Sequence, residues 1–281
     1  MKGRHIHVST TRRATLAALA GLPLAAAVAA PAAARPAGGR ARTLFIAGDS
    51  TAAQKYADAQ PETGWGMALP FFLSSRVEVA NHAVNGRSSK SFADEGRLDT
   101  ILAAIRPGDL LLIQFAHNDE KSADPARYTE PWSTYQQYLK RYVDGARARG
   151  ARPVLATSVE RRKFDADGNA LPTHGEYPAA MRALAREEGV ALLDIQARSL
   201  ALWQRLGAEE TKVYFNWTAT EQDNTHANPP GAIAVARLVA EELLRRRVLP
   251  ARDVRRLGDE IDELSEVWQS RLSWLPGTTP A

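Results

Sequence analysis

The stretch TLFIAGDSTAAQ, residues 43–54, decides how this chain is to be read. Its first six residues form a continuous apolar run rather than an alternating one, the pattern of a strand buried on both faces. The run stops at Gly48 and is followed at once by Asp49, Ser50 and Thr51. A hydroxyl just past a strand most often caps a turn. It can instead project from the carboxyl end of a parallel strand, the place where open α/β sheets bind their ligands. Ser50 alone does not choose between these roles, so its partners must be sought elsewhere in the chain.

Four more short apolar runs recur downstream: VEVANHAV (77–84), LLLIQFA (110–116), PVLATSV (153–159) and VALLDI (190–195). Helix-forming stretches lie between them, at 131–149 and 177–188, and each is closed by a glycine, Gly150 or Gly189. Glycine just past a charged last turn is a helix stop signal. A further helix is expected over 231–247, after the NPP in which a proline can occupy a first helical turn, and another over 259–272. Strands alternating with helices argue for a parallel sheet covered on both faces. The reading is α/β, with a single domain over 43–281 and no internal repeat.

The first forty residues are a different material. They carry paired arginines (Arg12, Arg13), a modest Ala/Leu stretch, then small residues and prolines. A charged start, a short apolar middle and an A-x-A-like end describe a removable export signal over 1–34, followed by a short leader over 35–42. The twin arginines point to the Tat route and a secreted or periplasmic protein; the bland alternative is an Ala/Pro leader with no address. The whole chain has 281 residues, 36 of them Lys or Arg and 32 Asp or Glu. Cutting at Ala34 removes Lys2, Arg4, Arg12 and Arg13 and no acid, so the remainder is balanced in charge. The basic isoelectric point is therefore no argument for a nucleic-acid partner, and no clustered basic and aromatic face supports one. No second apolar stretch is long enough for a membrane span. The absence of cysteine removes disulfides, thiol catalysis and thiolate zinc sites.

If the strand order is 2-1-3, the first strand lies between the second and third, and Ser50 sits between the loops that leave those two strands. The loop after the second holds NGRSS with Gly86; the loop after the third holds HNDE with Asn118. An ester attacked by a hydroxyl passes through an oxyanion that needs preplaced donors. The backbone N–H of Gly86, the amide of Asn118 and the N–H of Ser50 would make three. A base is then needed. Once the leader is gone, the histidines are His82, His117, His174 and His226; His226 has Asp223 three residues before it in EQDNTHANPPGA, and His117, beside Asn118, is the main rival base. A carboxylate on one imidazole nitrogen and a serine on the other make a Ser-His-Asp arrangement. In a 2-1-3-4-5 order the fifth strand is at the far edge, so the segment 207–229 must travel back to the site, which marks it as a functional loop.

In order, GDST, NHAVNGRS, FAHND and DNTH resemble the four blocks of the SGNH/GDSL hydrolase superfamily, and VERRKFDADGN and PTHGEYPAAM look like its rhamnogalacturonan acetylesterase branch. The resemblance spans residues 43–247. It implies a three-layer α/β/α sandwich around a five-stranded parallel, flavodoxin-like sheet. It also implies Ser50 as nucleophile, Asp223 and His226 as acid and base, and Ser50, Gly86 and Asn118 as the oxyanion hole, with no metal and no cofactor. Ala116 departs from the glycine that family members often carry there.

The function expected is a secreted serine esterase that removes acetyl groups from a polysaccharide or oligosaccharide, rhamnogalacturonan first, as a monomer. The alternatives are an acetylesterase for xylan or small esters, and an inactive carbohydrate-binding protein of the same fold. Arg87, His117 and Trp217 are candidate substrate contacts, with core packing as the rival role for Trp65, Trp132 and Trp217. His82 and His174 read as structural, and Asp49 as a loop-fixing acceptor.

Overall fold

The computed structural model describes residues 41–258 and 260–279. The expected export signal over 1–34 and nearly all of the expected leader lie outside the described residues. Each of the five apolar runs contains a strand: β1 (Arg42–Gly48), β2 (Val77–Asn81), β3 (Leu110–Gln114), β4 (Arg152–Ala156) and β5 (Ala191–Leu193). They form one sheet in the order β2-β1-β3-β4-β5, with every pair parallel.

Eight helices accompany the sheet among the described residues: α1 (Trp65–Ala68), α2 (Ser89–Asp94), α3 (Arg97–Ala104), α4 (Gln136–Ala148), α5 (Tyr177–Glu187), α6 (Ile195–Glu210), α7 (Pro229–Arg245) and α8 (Glu266–Gln269). Side chains alternate across the strands into two cores. Leu44, Ile46, Leu110, Leu112 and Val154 meet α1, α6 and α7. Phe45, Ala47, Leu111, Ile113 and Leu155 meet α2, α3, α4 and α5. This is a three-layer sandwich. Burying each large apolar side chain contributes about 1.5–3 kcal/mol.

Because both faces are apolar, polarity alone does not fix the register of these strands. Gly48 pairs with Gln114, and a methyl group on Gly48 would stand 3.1 Å from the Gln114 carbonyl oxygen. A close backbone fit in the sheet core therefore lies where the chain turns toward Ser50.

The helix over 131–149 opens with a π turn, Pro131–Tyr135, before α4. α7 begins two residues before its expected start, with prolines in its first turn and the Asn228 side chain accepting from Gly231 N–H. α2, α3 and α6 also lie between or after the strands, in stretches not singled out from the sequence. Over 259–272 the expected amphipathic helix is reduced to the single turn α8. Asp262 accepts from the Leu264 N–H through its side chain and from the Ser265 N–H through its carbonyl, a local alternative that competes with helix hydrogen bonding. Ile261 and Leu272 are buried individually in the core instead of forming a stripe. No helix among the described residues is long and apolar enough to cross a membrane.

The segment 207–229 is not a bare loop. It holds the end of α6 and an antiparallel pair, β6 (Phe215–Trp217) and β7 (Gln222–Ala227). Two cross-links hold that pair over the sheet ends. Thr63, which follows β1, donates its N–H to Ala227 O at 2.8 Å, and Arg162, which follows β4, donates its N–H to Asn224 O at 2.8 Å. These bonds answer how a chain leaving the edge strand reaches the first one.

Candidate active site

The turn after β1 is held by a buried polar lattice. Ala52 N–H and Ala53 N–H both donate to Asp49 O. One oxygen of the Asp49 carboxylate accepts from Thr51 N–H and Thr51 Oγ1–H at 3.0 and 2.7 Å. The other meets Gln114 Nε2 at 3.3 Å and His117 Nδ1 at 3.1 Å. Gln114 Oε1 in turn accepts from Trp65 Nε1 and lies 3.1 Å from Thr51 Oγ1. Leaving one such buried group unpaired would cost about 1–3 kcal/mol, so the lattice stands or falls together. Asp49 is thus the loop-fixing acceptor read from its position. Burial pushes its pKa up, but the His117 ring and the Thr51 donors more than reverse this and hold it below the ordinary carboxylate range. Ser50, 8% exposed, projects from this frame.

Its hydroxyl oxygen lies 2.9 Å from His226 Nε2, and His226 Nδ1 lies 2.6 Å from Asp223 Oδ2. Residues three apart on a regular strand point to opposite faces, so β7 must bend to bring Asp223 under His226. The bend is visible as a register shift against β6. Asp223 Oδ1 fixes it by accepting from the N–H groups of Thr225 and His226 at 2.6 and 3.0 Å, an Asx-type turn. Burial raises the Asp223 pKa, while the hydrogen bonds from the His226 ring and from these two N–H groups pull it down to about 2. For His226, burial lowers the pKa. The Asp223 hydrogen bond and the charges of Glu62 and Asp223 outweigh burial and an opposing Lys55, so it stands above its ordinary value.

Gly86 has φ +74°, a conformation that side chains with a Cβ rarely adopt. Asn118 is buried, and its Nδ2 donates to Arg87 O at 3.1 Å, tying the loop after β3 to the loop after β2. Asp119 strengthens the same link. Its carboxylate accepts from Ser89 N–H and Ser89 Oγ at the start of α2, and from Thr129 Oγ1 at 2.9 Å. Burial dominates there and raises the Asp119 pKa to about 7. Asp119, Gln114, Lys55 and Glu62 all support this centre, and none is among the expected site residues. Asp119 and Gln114 do carry a signal: each is a polar residue at or just beyond the end of a fully buried strand.

The three candidate substrate contacts stand in different surroundings. His117 is 4% exposed, behind Asp49 and edge-on to the His174 ring at 4.5 Å, so it has no free surface to offer. Arg87 is partly committed: Nε pairs with Glu95 and Nη1 donates to Asn85 O. Trp217 already carries Arg162 and Lys212 against its ring, at 4.6 and 5.3 Å. Trp65 is a core residue, whereas Trp132 is half exposed with its Nε1 on Glu176. His174 is buried, with Nε2 on Val159 O, and His82 stacks on Phe45. Among the described residues no group of three or more His, Cys, Asp or Glu side chains is arranged to hold a metal ion.

Residues 46–234 match the GDSL-like Lipase/Acylhydrolase family. The chain is 45% identical over 207 residues to the rhamnogalacturonan acetylesterase RhgT of Bacillus subtilis, covering 70% of this chain and 88% of that one. It is 26% identical over 215 residues to a rhamnogalacturonan acetylesterase of Emericella nidulans, covering 70% and 82%. The crystal structure of the Bacillus subtilis protein YxiM superposes with a TM-score of 0.66 at 30% identity, covering 74% of this chain and 57% of that one. With sequence blocks, sheet order and relatives in agreement, this chain belongs to the GDSL-like lipase/acylhydrolase family, in its rhamnogalacturonan acetylesterase-like branch.

Proposed function

We propose that this protein is an exported serine esterase that removes acetyl groups from a carbohydrate polymer, rhamnogalacturonan before other glycans. The observation that carries the reading is the unbroken chain Ser50 Oγ–His226 Nε2–Asp223, with contacts of 2.9 and 2.6 Å. The relative named for this activity, at 45% identity, supports the choice of substrate.

In the first half-reaction Ser50 Oγ bonds to the acetyl carbon while its proton passes to His226 Nε2. The carbonyl π pair moves onto oxygen, where the N–H groups of Ser50 and Gly86 and the Asn118 amide receive it. Asp223 stabilises the imidazolium and keeps Nδ1 protonated. Collapse of the intermediate expels the sugar oxygen, which takes the proton from Nε2 and leaves acetyl-Ser50. A water deprotonated by the same nitrogen then attacks. The second collapse returns the proton on Nε2 to Ser50 Oγ and releases acetic acid, which ionises to acetate in solvent.

The test is acetate release from acetylated rhamnogalacturonan, acetylated xylan and an aryl acetate, by wild type and Ser50→Ala. The expected result is fastest release from rhamnogalacturonan, abolished in the variant. Preference for xylan would replace the substrate, and equal rates in both proteins would remove Ser50 from the reaction.

A further inference from the structure

Behind the site lies a lysine that takes no part in the acyl-transfer steps. Lys55 is 1% exposed, although burying a charge is costly unless it is paired. Its ammonium donates in two directions. One bond, 2.5 Å long, goes to Glu62 Oε1; the other, 2.8 Å, goes to Asn85 Oδ1. Glu62 Oε1 in turn stands 3.9 Å from His226 Nε2, the nitrogen that faces Ser50. Asn85 is the residue before Gly86. One ammonium therefore touches both halves of the site, the base through Glu62 and the oxyanion loop through Asn85.

The backbone around this pair is braced from several directions. Trp274 Nε1 donates to Glu62 O, Leu275 N–H donates to Lys55 O, and Thr63 N–H donates to Ala227 O at the end of β7. The carboxylate of Glu62 is thus delivered to His226 by a segment fixed at both ends. A buried ion pair is a weak source of stability, since well-packed apolar residues often do as well. Its cost makes more sense where the charges act on a neighbour.

We propose that Lys55 and Glu62 are positioning residues that set the proton affinity of His226 and hold the Gly86 loop in register with it. This deepens the esterase reading and rests on it. Glu62 adds a second negative charge beside the imidazolium formed during attack, near Nε2 rather than Nδ1. Lys55 limits that charge, so that the proton remains transferable to the leaving oxygen. The groups facing His226 are Asp223 from β7, Glu62 and Lys55 from the segment after β1, and Ser50 from the turn. Burial lowers the Lys55 pKa, and the charge and hydrogen bond of Glu62 oppose that.

The experiment is the pH dependence of kcat and kcat/KM on an aryl acetate for wild type, Glu62→Gln, Lys55→Met, the double variant and Asn85→Ala, with Ser50→Ala as the control. His226 must be neutral to act, so kcat/KM falls as pH drops through its pKa. Removing the Glu62 charge lowers that pKa, and the acid limb of Glu62→Gln moves down by about one pH unit. Removing the Lys55 charge moves the limb up, and the double variant returns it close to wild type. Asn85→Ala leaves the limb in place and lowers kcat about tenfold through the oxyanion loop. If Glu62→Gln folds and keeps the wild-type limb, the pair is structural and the proposal fails, whether or not Lys55→Met folds. If Ser50→Ala is as active as wild type, the esterase reading fails first, which separates the two outcomes.

Discussion

The two sides of the site are held in opposite ways. The serine side is built on the sheet: Asp49, Thr51 and Gln114 are all buried, and their hydrogen bonds run from one strand end to the next. The acid and base ride on β7, a short strand with no apolar alternation, where the Asp223 and His226 side chains are 23% and 30% exposed. Besides its pairing with β6, β7 is kept in place by bonds from Thr63 and Arg162. The lesson is a division of labour. On the proposed reading, the attacking Ser50 is framed by buried core residues, whereas His226, the group that would change charge and pass protons, sits where water can reach it.

The comparison breaks most sharply at Asp223. Asp223→Asn keeps the shape of β7 but offers Nδ1 the wrong partner, and kcat should fall about 10⁴-fold in steady-state assays with the unfolding midpoint near wild type. A loss under tenfold would show that β7 does not orient the base. On the rigid side, Asn118→Ala removes one donor and the bond to Arg87 O; kcat should drop about 10²–10³-fold with little change in KM. A rise in KM alone would make Asn118 a binding residue.

A smaller effect sharpens the contrast in stability. The Asp119 pKa is raised by burial to about 7, while in the unfolded chain it has its ordinary value near 4. Between those values the folded protein holds a proton that the unfolded chain has lost. This contribution is whole below about pH 4 and is lost as pH rises through about 7. Urea unfolding from pH 5 to 8 should show wild type losing stability relative to Asp119→Asn across that window. Parallel curves would mean that Asp119 is ionised throughout.

Much of this was legible because buried parallel strands are unbroken apolar runs, and each of the five runs holds its strand. Ser50, Asp223 and His226, which the structure brings into contact, could be singled out because Asp-x-x-His and GDST are local patterns. The hidden part depends on contacts between distant segments. Nothing in QDNTHA marks a strand, because its pairing and its anchor at Arg162 lie elsewhere in the chain. Lys55 and Glu62 carry no local signal, since spacing does not reveal which charge is enclosed. The 259–272 pattern suggested a helix because composition does not register the turn that Asp262 makes.

The central claim is that Ser50 carries the acyl group. Acid-quenching the enzyme within the first turnover on an aryl acetate, then weighing its peptides, tests this directly. The account predicts an acetyl adduct on the peptide containing Ser50, absent in Ser50→Ala. An adduct on another residue, or turnover by Ser50→Ala at the wild-type rate, would contradict it.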